Sequence, residues 1–285
     1  MSTELDACVV CGGDLHPARV QDGFELVSCT TCGMLMRRSL PDRAELPTIY
    51  APEYYEHRPE HPVRGYADYL GDAERHRETA RRRLILLDRF AGTRGKLLDV
   101  GAAAGFFVDE AGRAGWEAEG VDVAGHMVHW GKRELGAPLR TGDLGAVEGD
   151  GSFAAVTMWD YIEHALDPRG DLAKAHELLA SDGILALSTG DVGSLVARAS
   201  RSRWHLLTPR HHNFFFSSRT LARLLAATGF EIAWSGHPGA RYSLAHIAHK
   251  SLPAAAADRV ARSRLARHSV PINLFDIVTV VARKR

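Results

Sequence analysis

Short apolar runs alternate with amphipathic stretches from Lys96 to the C-terminus. The runs KLLDV, WEAEGVDV, FAAVTMW and ILALSTG each predict a strand, with helical patterns such as VDEAGRAG and AGHMVHWGKRELG between them. Strands separated by helices of this length form βαβ units with a parallel sheet. RTLARLLAATGFEI adds a late helix, and PINLFDIVTVVARKR ends in a last strand. The pattern therefore predicts an α/β domain over residues 93–285.

The chain ahead of this domain follows neither period. Residues 41–92 form a connector, in which prolines and glycines rule out one long helix before a lead helix over 73–91. The tyrosines there either pack the N-terminal part onto the core or form a lid: Tyr50, Tyr54, Tyr55, Tyr66 and Tyr69. The arginines of the lead helix are expected on a solvated face, although they could bind an acidic substrate: Arg75, Arg77, Arg81, Arg82, Arg83 and Arg89.

Composition and charge exclude several classes of protein. The chain is 45% hydrophobic and 25% charged, and its 35 basic residues balance 35 acidic ones. A balanced chain has no overall field to attract nucleic acid. No apolar run approaches the ~20 residues that span a bilayer, and the N-terminus lacks a signal-peptide pattern. We therefore expect a cytoplasmic protein with no membrane or nucleic-acid partner.

All four cysteines lie in residues 1–40, as two C-x2-C pairs: Cys8, Cys11, Cys29 and Cys32. Two such pairs can complete a tetrahedral thiolate shell, and the spacing is typical of a zinc ribbon. Glycines after each pair suit the tight turns of a zinc knuckle. Because all ligands would be protein thiolates, we expect one structural Zn²⁺ without a catalytic role.

Two other readings of the cysteines are weaker. Disulfides are rare in cytosolic chains, and a redox C-x-x-C normally lies beside a βαβ pattern. Residues 1–40 carry three basic and five acidic residues, so the ribbon is a poor binder of phosphate.

The turn after the KLLDV strand carries the most informative chemistry. It reads Asp99-Val-Gly101-Ala-Ala103-Ala-Gly105, and its small residues let a ligand approach the backbone at the carboxyl edge of the sheet. A dinucleotide enzyme needs G-x-G-x-x-G, whereas Ala103 and Phe106 occupy the second and third glycine positions. The bulky Phe106 argues against NAD or FAD.

This turn instead resembles motif I of class I S-adenosylmethionine (SAM) dependent methyltransferases, with Ala103 replacing the middle glycine. The segments TGDL, FAAVTMWDYIEHALDP and PRHHNFFFSSRTLARLLAATGF are similar, in order and spacing, to ubiquinone-biosynthesis-type methyltransferases. The resemblance covers residues 95–285 and implies a Rossmann-like seven-stranded sheet with helices on both faces. It also implies that SAM is the cofactor.

The resemblance implies a set of SAM-binding positions. Asp122 ends the second strand, where a carboxylate can accept both ribose hydroxyls, and Asp143 borders the adenine. The full set is Asp99, Gly101, Ala102, Ala103, Gly105, Phe106, Asp122, Val123, Asp143, Leu144 and Trp159.

Candidate catalytic residues follow the fourth strand. His164 is the first choice for general base, because histidine accepts a proton near neutral pH, and the alternative is a structural histidine. His212 could hydrogen-bond the acceptor or brace its loop. Asp160, Glu163 and His164 resemble the E-x-x-E-H group that some quinone-biosynthesis methyltransferases use around a divalent ion. Asp160 shortens the reach, so we do not expect a catalytic Mg²⁺, and Asp160 could instead contact the SAM amino group.

The sequence therefore predicts a methyltransferase acting on an O, N or C atom of a small biosynthetic molecule. Zinc-ribbon methyltransferases also resemble sugar C-methyltransferases, but those are longer and carry a further C-terminal domain. The alternatives are a methyltransferase for RNA or protein, a nicotinamide oxidoreductase, and a SAM-fold protein without activity. The sequence does not predict the acceptor or the oligomeric state.

Overall fold

A computed structural model describes residues 3–56, 65–66, 68–149, 151–266 and 268–285. The middle of the predicted connector, residues 57–64 and 67, therefore lies outside the described residues. Within the described part, no helix is both long and apolar enough to cross a bilayer.

The N-terminal cysteine module, residues 3–40, is built from five short strands. They are β1 (Thr3–Glu4), β2 (Leu15–Gln21), β3 (Phe24–Cys29), β4 (Leu35–Arg37) and β5 (Ser39–Leu40). Strands β2, β3 and β4 pair antiparallel, and β1 pairs with β5. Gly12 and Gly33 have φ of 70° and 76°, which glycine adopts without steric cost where the chain turns behind each cysteine pair.

The larger part of the chain forms a seven-stranded sheet. From edge to edge its strands are β12 (Phe230–Gly236), β15 (Ile277–Lys284), β10 (Leu179–Gly190), β9 (Phe153–Trp159), β6 (Lys96–Val100), β7 (Glu117–Asp122) and β8 (Leu139–Thr141). The five strands from β10 to β8 are parallel, whereas β15 runs antiparallel between β10 and β12. The described part of the chain also holds β11 (Phe214–Phe215) and a two-stranded antiparallel sheet of β13 (Ala240–Ser243) and β14 (Ser269–Ile272).

The described residues also form ten α-helices. They are α1 (Leu46–Ile49), α2 (Pro52–Tyr55), α3 (Ala73–Asp88), α4 (Phe106–Arg113), α5 (Gly125–Leu135), α6 (Pro168–Leu178), α7 (Leu195–Ser200), α8 (Ser218–Ala227), α9 (Leu244–Ser251) and α10 (Ala254–Ala261). Helix α3 ends three residues before the predicted boundary. Strand β10 begins five residues before the predicted ILALSTG strand and has a register shift between Leu179 and Ile184.

Alternation along the strands places helices on both faces of the sheet. In β10, Leu185 and Leu187 join the buried cluster that includes α6 and α8, whereas Ile184 and Ala186 join the cluster that includes α3, α4 and α5. Successive strand residues point to opposite faces, so this is the two-layer covering expected of a parallel sheet. The predicted Rossmann-like seven-stranded fold is confirmed.

The parallel register brings the ligand edge together. Val100 pairs with Val121, so the loop after β6 and the end of β7 leave the sheet side by side. Strand β9 ends at the same edge, and its loop runs to Asp167, whose side chain accepts a hydrogen bond from the Gly170 N–H and caps α6. The carboxyl ends of three parallel strands thus surround one site.

Candidate functional site

The loop between β6 and α4 follows a left-handed backbone at every second residue. Gly101, Ala103 and Gly105 have φ of 77°, 47° and 79°. A side chain on Gly101 would place its Cβ 2.9 Å from the Tyr161 ring, and one on Gly105 would meet Leu139 at 2.8 Å. Both glycines are therefore required by space as well as by conformation. Ala103 shows that the middle position tolerates a methyl group in the left-handed region.

Asp122 fixes this loop from the neighbouring strand. Its Oδ2 accepts a hydrogen bond from the Ala103 N–H at 2.7 Å, and its Oδ1 accepts one from the Ala124 N–H at 2.7 Å. Burial raises the pKa of Asp122, while these two N–H groups act in the opposite direction. Each oxygen retains a second lone pair, so the carboxylate can also accept hydroxyl groups of a ligand.

Asp99 lies at the end of β6, buried beneath the loop. Its Oδ1 accepts a hydrogen bond of 2.6 Å from the Thr157 hydroxyl on β9. Burial raises the pKa of Asp99 to about 7, although Thr157 and the charge of Arg83 lower it. A nearby cation would lower the pKa of this carboxyl group and favour its charged form.

One cavity of about 890 Å³ opens beside this loop. Most of the predicted site residues line it: Asp99, Gly101, Ala102, Ala103, Phe106, Asp122, Val123, Asp143, Trp159, Asp160, His164 and His212. Gly105 and Leu144 do not line it, because Gly105 packs against Leu139 and Leu144 is fully buried in the core. These two residues support the site from behind.

Phe106 begins α4 where a dinucleotide fold has its third glycine. Its ring is 3% exposed and stacks on His76, with centroids 5.6 Å apart and planes 3° apart. The aromatic ring therefore occupies the helix N-terminus on which a pyrophosphate would rest.

Trp159 and Asp160 turn away from β9 toward α3. The Trp159 indole is buried, the Arg83 guanidinium lies 4.6 Å above it, and its Nε1 has no hydrogen-bond partner among the described residues. Asp160, with φ of 53°, forms an ion pair of 2.7 Å with Arg83 and accepts a hydrogen bond of 2.8 Å from Ser188. Trp159 thus lines the cavity and holds a buried N–H donor without a partner among the described residues, and the Asp160 carboxylate is held by Arg83 and Ser188.

His164 and His212 come together although separate segments carry them. Their ring centroids lie 4.7 Å apart. The Nδ1 of His164 lies 2.9 Å from the His211 carbonyl oxygen, and the Nδ1 of His212 lies 2.9 Å from the Leu206 carbonyl oxygen. Because a carbonyl oxygen can only accept, each Nδ1 carries the proton and each Nε2 carries the ring's lone pair.

Burial decides the protonation of this corner. It lowers the pKa of His164 to about 4, so the imidazole is neutral at physiological pH. Burial, followed by the charge of Asp160, raises the pKa of Glu163 to about 8. Donor atoms of Glu163, His164 and His212 lie within 4.8 Å of one another and could hold a divalent ion, for which a set with two imidazoles suits a transition metal better than Mg²⁺.

The connector tyrosines form part of the cavity wall. Tyr50, Tyr54, Tyr55, Tyr66 and Tyr69 all line it, and Tyr54 and Tyr55 meet edge to face at 5.1 Å. The Tyr50 hydroxyl lies 3.0 Å from the Nδ1 of His164 and accepts from it. The position fits either of the predicted roles for these tyrosines, packing or covering.

Several residues of the site carry no signal in the sequence. Thr157 is an ordinary strand residue until the fold places it against Asp99, and the sequence, which predicts Tyr50 only as a packing or lid residue, does not predict its contact with His164. The expectation that the lead-helix arginines lie on a solvated face is wrong for Arg75, Arg77 and Arg83, whose side chains are 18%, 16% and 25% exposed. A charged residue's partner on a distant element cannot be recognised from local spacing.

The four cysteines converge at the turns of the N-terminal module. The Sγ atoms of Cys8 and Cys32 lie 3.6 Å apart, those of Cys11 and Cys29 lie 3.4 Å apart, and all four lie within 4.8 Å of one another. Thiolates around one tetrahedral ion at ≈ 2.3 Å have similar separations, so the residues fit a zinc ion. This cluster is separate from the cavity.

A family model described as a methyltransferase domain matches residues 72–233, more than half of the chain. A comparison with curated proteins found no match.

Solved structures share the fold at low identity. The magnesium protoporphyrin IX methyltransferase of Synechocystis PCC 6803, with bound SAH, is 15% identical with a TM-score of 0.56, covering 86% of this chain and 100% of that one. A SAM-dependent methyltransferase of Thermotoga maritima, described as a possible histamine N-methyltransferase, is 20% identical with a TM-score of 0.50, covering 76% and 94%. A SAM-dependent methyltransferase of Archaeoglobus fulgidus is 16% identical with a TM-score of 0.52, covering 76% and 99%.

Proposed function

The chain belongs to the methyltransferase domain family and is a SAM-dependent methyltransferase, and we propose that it methylates an O, N or C atom of a small biosynthetic molecule. The observation that carries the proposal is one cavity with the Asp122-fixed loop at one side and His164 with His212 at another. A cofactor and an acceptor would share this space.

The residues present fit the cofactor. Asp122, oriented by two N–H groups, would bind the ribose hydroxyls, and the small residues of the loop admit a ligand close to the backbone. The buried Nε1 of Trp159 has no partner among the described residues and would donate to a ligand oxygen. The carboxyl groups of Asp99 and Asp122 favour a cationic ligand.

When bound, SAM supplies a methyl group activated by a positive sulfonium. An oxygen or carbon acceptor would also have to lose a proton. His164 would take this proton at Nε2, because its Nδ1 proton is held by the His211 carbonyl. His212 would position the acceptor, and the buried tyrosines would exclude water.

The enclosure of the cavity favours a small acceptor over RNA or protein. The five connector tyrosines line it, and the N-terminal module carries more acidic than basic residues. An extended macromolecule would have to place its target group under these side chains.

Two binding and labelling experiments test the proposal. Isothermal titration should show binding of SAM and none of NADH; tight NADH binding without SAM binding would overturn it. The protein should then be incubated with methyl-labelled SAM and an extract of the source cells. Label in the small-molecule fraction, below the mass of a short peptide, supports a small acceptor. Label in RNA or protein contradicts the proposal.

The role of His164 is tested by substitution. His164→Ala should lower methyl transfer to the labelled product at least about tenfold while SAM affinity stays nearly unchanged, because the base acts on the acceptor. His16→Ala, an exposed histidine on β2, is the matched control. Unchanged turnover in His164→Ala would remove His164 from the mechanism.

We also propose that residues 1–40 are a zinc ribbon, residues 41–92 a connector with its lead helix, and residues 93–285 the catalytic domain. The ribbon would hold one zinc ion through Cys8, Cys11, Cys29 and Cys32, which converge as a closed four-thiolate set. A closed set leaves no open position for a substrate, so the ion would be structural.

A further inference from the structure

The sheet of the N-terminal module extends to the segment that carries His212. Strand β4 pairs antiparallel with β11, Met36 opposite Phe214 and Leu35 opposite Phe215. Strand β11 begins two residues after His212. The sheet of the cysteine module therefore has as its fourth strand β11, which lies far from the module in the sequence and next to the proposed active site.

Asn213, between His212 and β11, uses all its polar groups to join the two parts. Its carbonyl oxygen accepts from the Arg37 N–H at 2.8 Å, and its Oδ1 accepts from the Arg37 guanidinium at 3.4 Å. Its N–H donates to the Glu163 carbonyl at 2.8 Å, and its Nδ2 donates to the carbonyls of His164 and Ala165, each at 3.0 Å. Asn213 is 2% exposed, so these bonds are shielded from water.

Arg169 makes a second link to the module, at the end of the loop that follows β9. It lies in the first turn of α6, just after the loop that holds Glu163 and His164. Its Nε and Nη2 donate to the carbonyls of Val9 and Val10, at 3.1 Å and 2.7 Å. Val9 and Val10 stand between Cys8 and Cys11 in the first knuckle. The module thus holds the loop from both sides.

We infer that Asn213 is a positioning residue through which the folded cysteine module sets the geometry of His164 and His212, with Arg169 as the second anchor. This inference rests on the proposed function for the roles of the two histidines. The side chain of Asn213 touches the backbone of His164, not the ring, so it acts on the ring through loop position. The module is therefore a support for the active-site loop as well as a separate fold.

The test compares three variants of the full, metal-loaded chain: Asn213→Ala, Arg169→Met and the control Arg19→Met. Arg19 is exposed on β2. Hydrogen exchange followed by mass spectrometry should be at least about tenfold faster in residues 160–168 and 209–216 for the first two variants. Peptides of β6 and β9 should stay within about twofold of wild type, and the control should match wild type throughout.

A spectroscopic readout separates positioning from general stability. The imidazole NMR signals of His164 and His212 should shift in Asn213→Ala and Arg169→Met, while that of His76, against Phe106, keeps its position. SAM affinity should stay within about threefold, because none of these bonds is made to Asp122 or to the loop between β6 and α4. Arg169→Met keeps the aliphatic stem and gives the answer if Asn213→Ala does not fold.

Two results would overturn the inference. Faster exchange confined to residues 3–40, with unchanged signals for His164 and His212, would mean that the module does not hold the loop. A uniform rise across all core peptides would mean that the substitutions only destabilise the shared core. Failure of wild-type protein to bind SAM would contradict the proposed function and leave these two results to decide the coupling.

Discussion

At the end of β7, both carboxylate oxygens of Asp122 accept hydrogen bonds from backbone N–H groups. One bond holds the left-handed Ala103, and the other holds Ala124 ahead of α5. The carboxylate is therefore oriented before any ligand arrives. Preorganised acceptors bind hydroxyl groups without paying again for side-chain ordering.

Asp122→Ala should weaken SAM binding at least about 100-fold, about 2.7 kcal/mol, because two charge-assisted hydrogen bonds are lost. Isothermal titration measures the change. Glu117→Ala, an exposed residue at the opposite end of β7, should bind like wild type. Equal affinities for the two variants would show that Asp122 does not contact the cofactor.

His164 combines two constraints that usually conflict. The His211 carbonyl fixes its Nδ1 proton, and burial lowers its pKa to about 4, below the ordinary value of 6.5. Between these values the unfolded chain binds the proton that the folded chain excludes. The corresponding contribution to the free energy of unfolding is complete above pH 6.5 and falls away as the pH drops toward 4.

The His164→Gln variant isolates this contribution. Compared with the variant, wild type should lose up to about 3 kcal/mol of unfolding free energy between pH 6.5 and pH 4. Urea unfolding of both proteins at several pH values gives the difference, and any pH effect on the cysteines cancels between them. A difference that does not change with pH would mean that the pKa of His164 is the same in the folded and the unfolded chain.

At the scale of elements, helix α3 is joined to its neighbours by ion pairs as well as by its apolar face. Ala80, Leu84 and Leu87 are buried, and Arg77 donates to both Asp109 and Glu110 on α4. Arg81 also binds Glu110, whose side chain is 8% exposed. Arg83 reaches Asp160 beyond β9. Helix α3 thus connects α4 to the loop of the proposed active site.

Arg77→Ala should lower the free energy of unfolding by about 2 kcal/mol, since it removes one of two partners from a buried carboxylate. Arg82→Ala, on the same helix, breaks a pair with Glu78 that is largely exposed and should cost less than about 0.5 kcal/mol. Urea denaturation midpoints provide the comparison. Equal losses would place the Arg77 pairs in the same solvent-screened class as the Arg82 pair.

At the scale of the molecule, the cysteine module and the central sheet share one buried cluster. Cys29, Met34 and Met36 belong to the same cluster as Leu221 on α8 and Val156 on β9. Any loss of order in the module therefore exposes core surface of the larger domain. This continuity makes the two parts interdependent in stability.

Purified protein should contain one equivalent of zinc, and its removal by a strong chelator should lower the melting temperature by about 10 °C. The reason is that the free energy of zinc binding, which contributes to folding, is lost, and the shared core becomes less ordered. Elemental analysis and differential scanning calorimetry make the two measurements. Less than about half an equivalent of zinc in carefully purified protein would contradict the proposed four-thiolate site.

The sequence by itself determined the alternation of strands and helices from β6 to β10, the turn of small residues from Gly101 to Gly105, and the cysteine pairs. Each of these depends on residues close in the chain: a period of two or 3.6, a backbone angle, or a bite of two residues around an ion. Strand β6, predicted as KLLDV, has those bounds in the structure. Most of the predicted cofactor positions line the cavity for the same reason.

Only the tertiary structure decided what meets across distant segments. The pairing of β4 with β11, the 4.7 Å approach of His164 to His212, the ion pair of Arg83 with Asp160 and the bonds of Asn213 all join residues far apart in sequence. Such contacts carry no periodicity, because packing of whole elements selects them after the local structure has formed. The physical reason is that local spacing fixes conformation, whereas burial fixes partners.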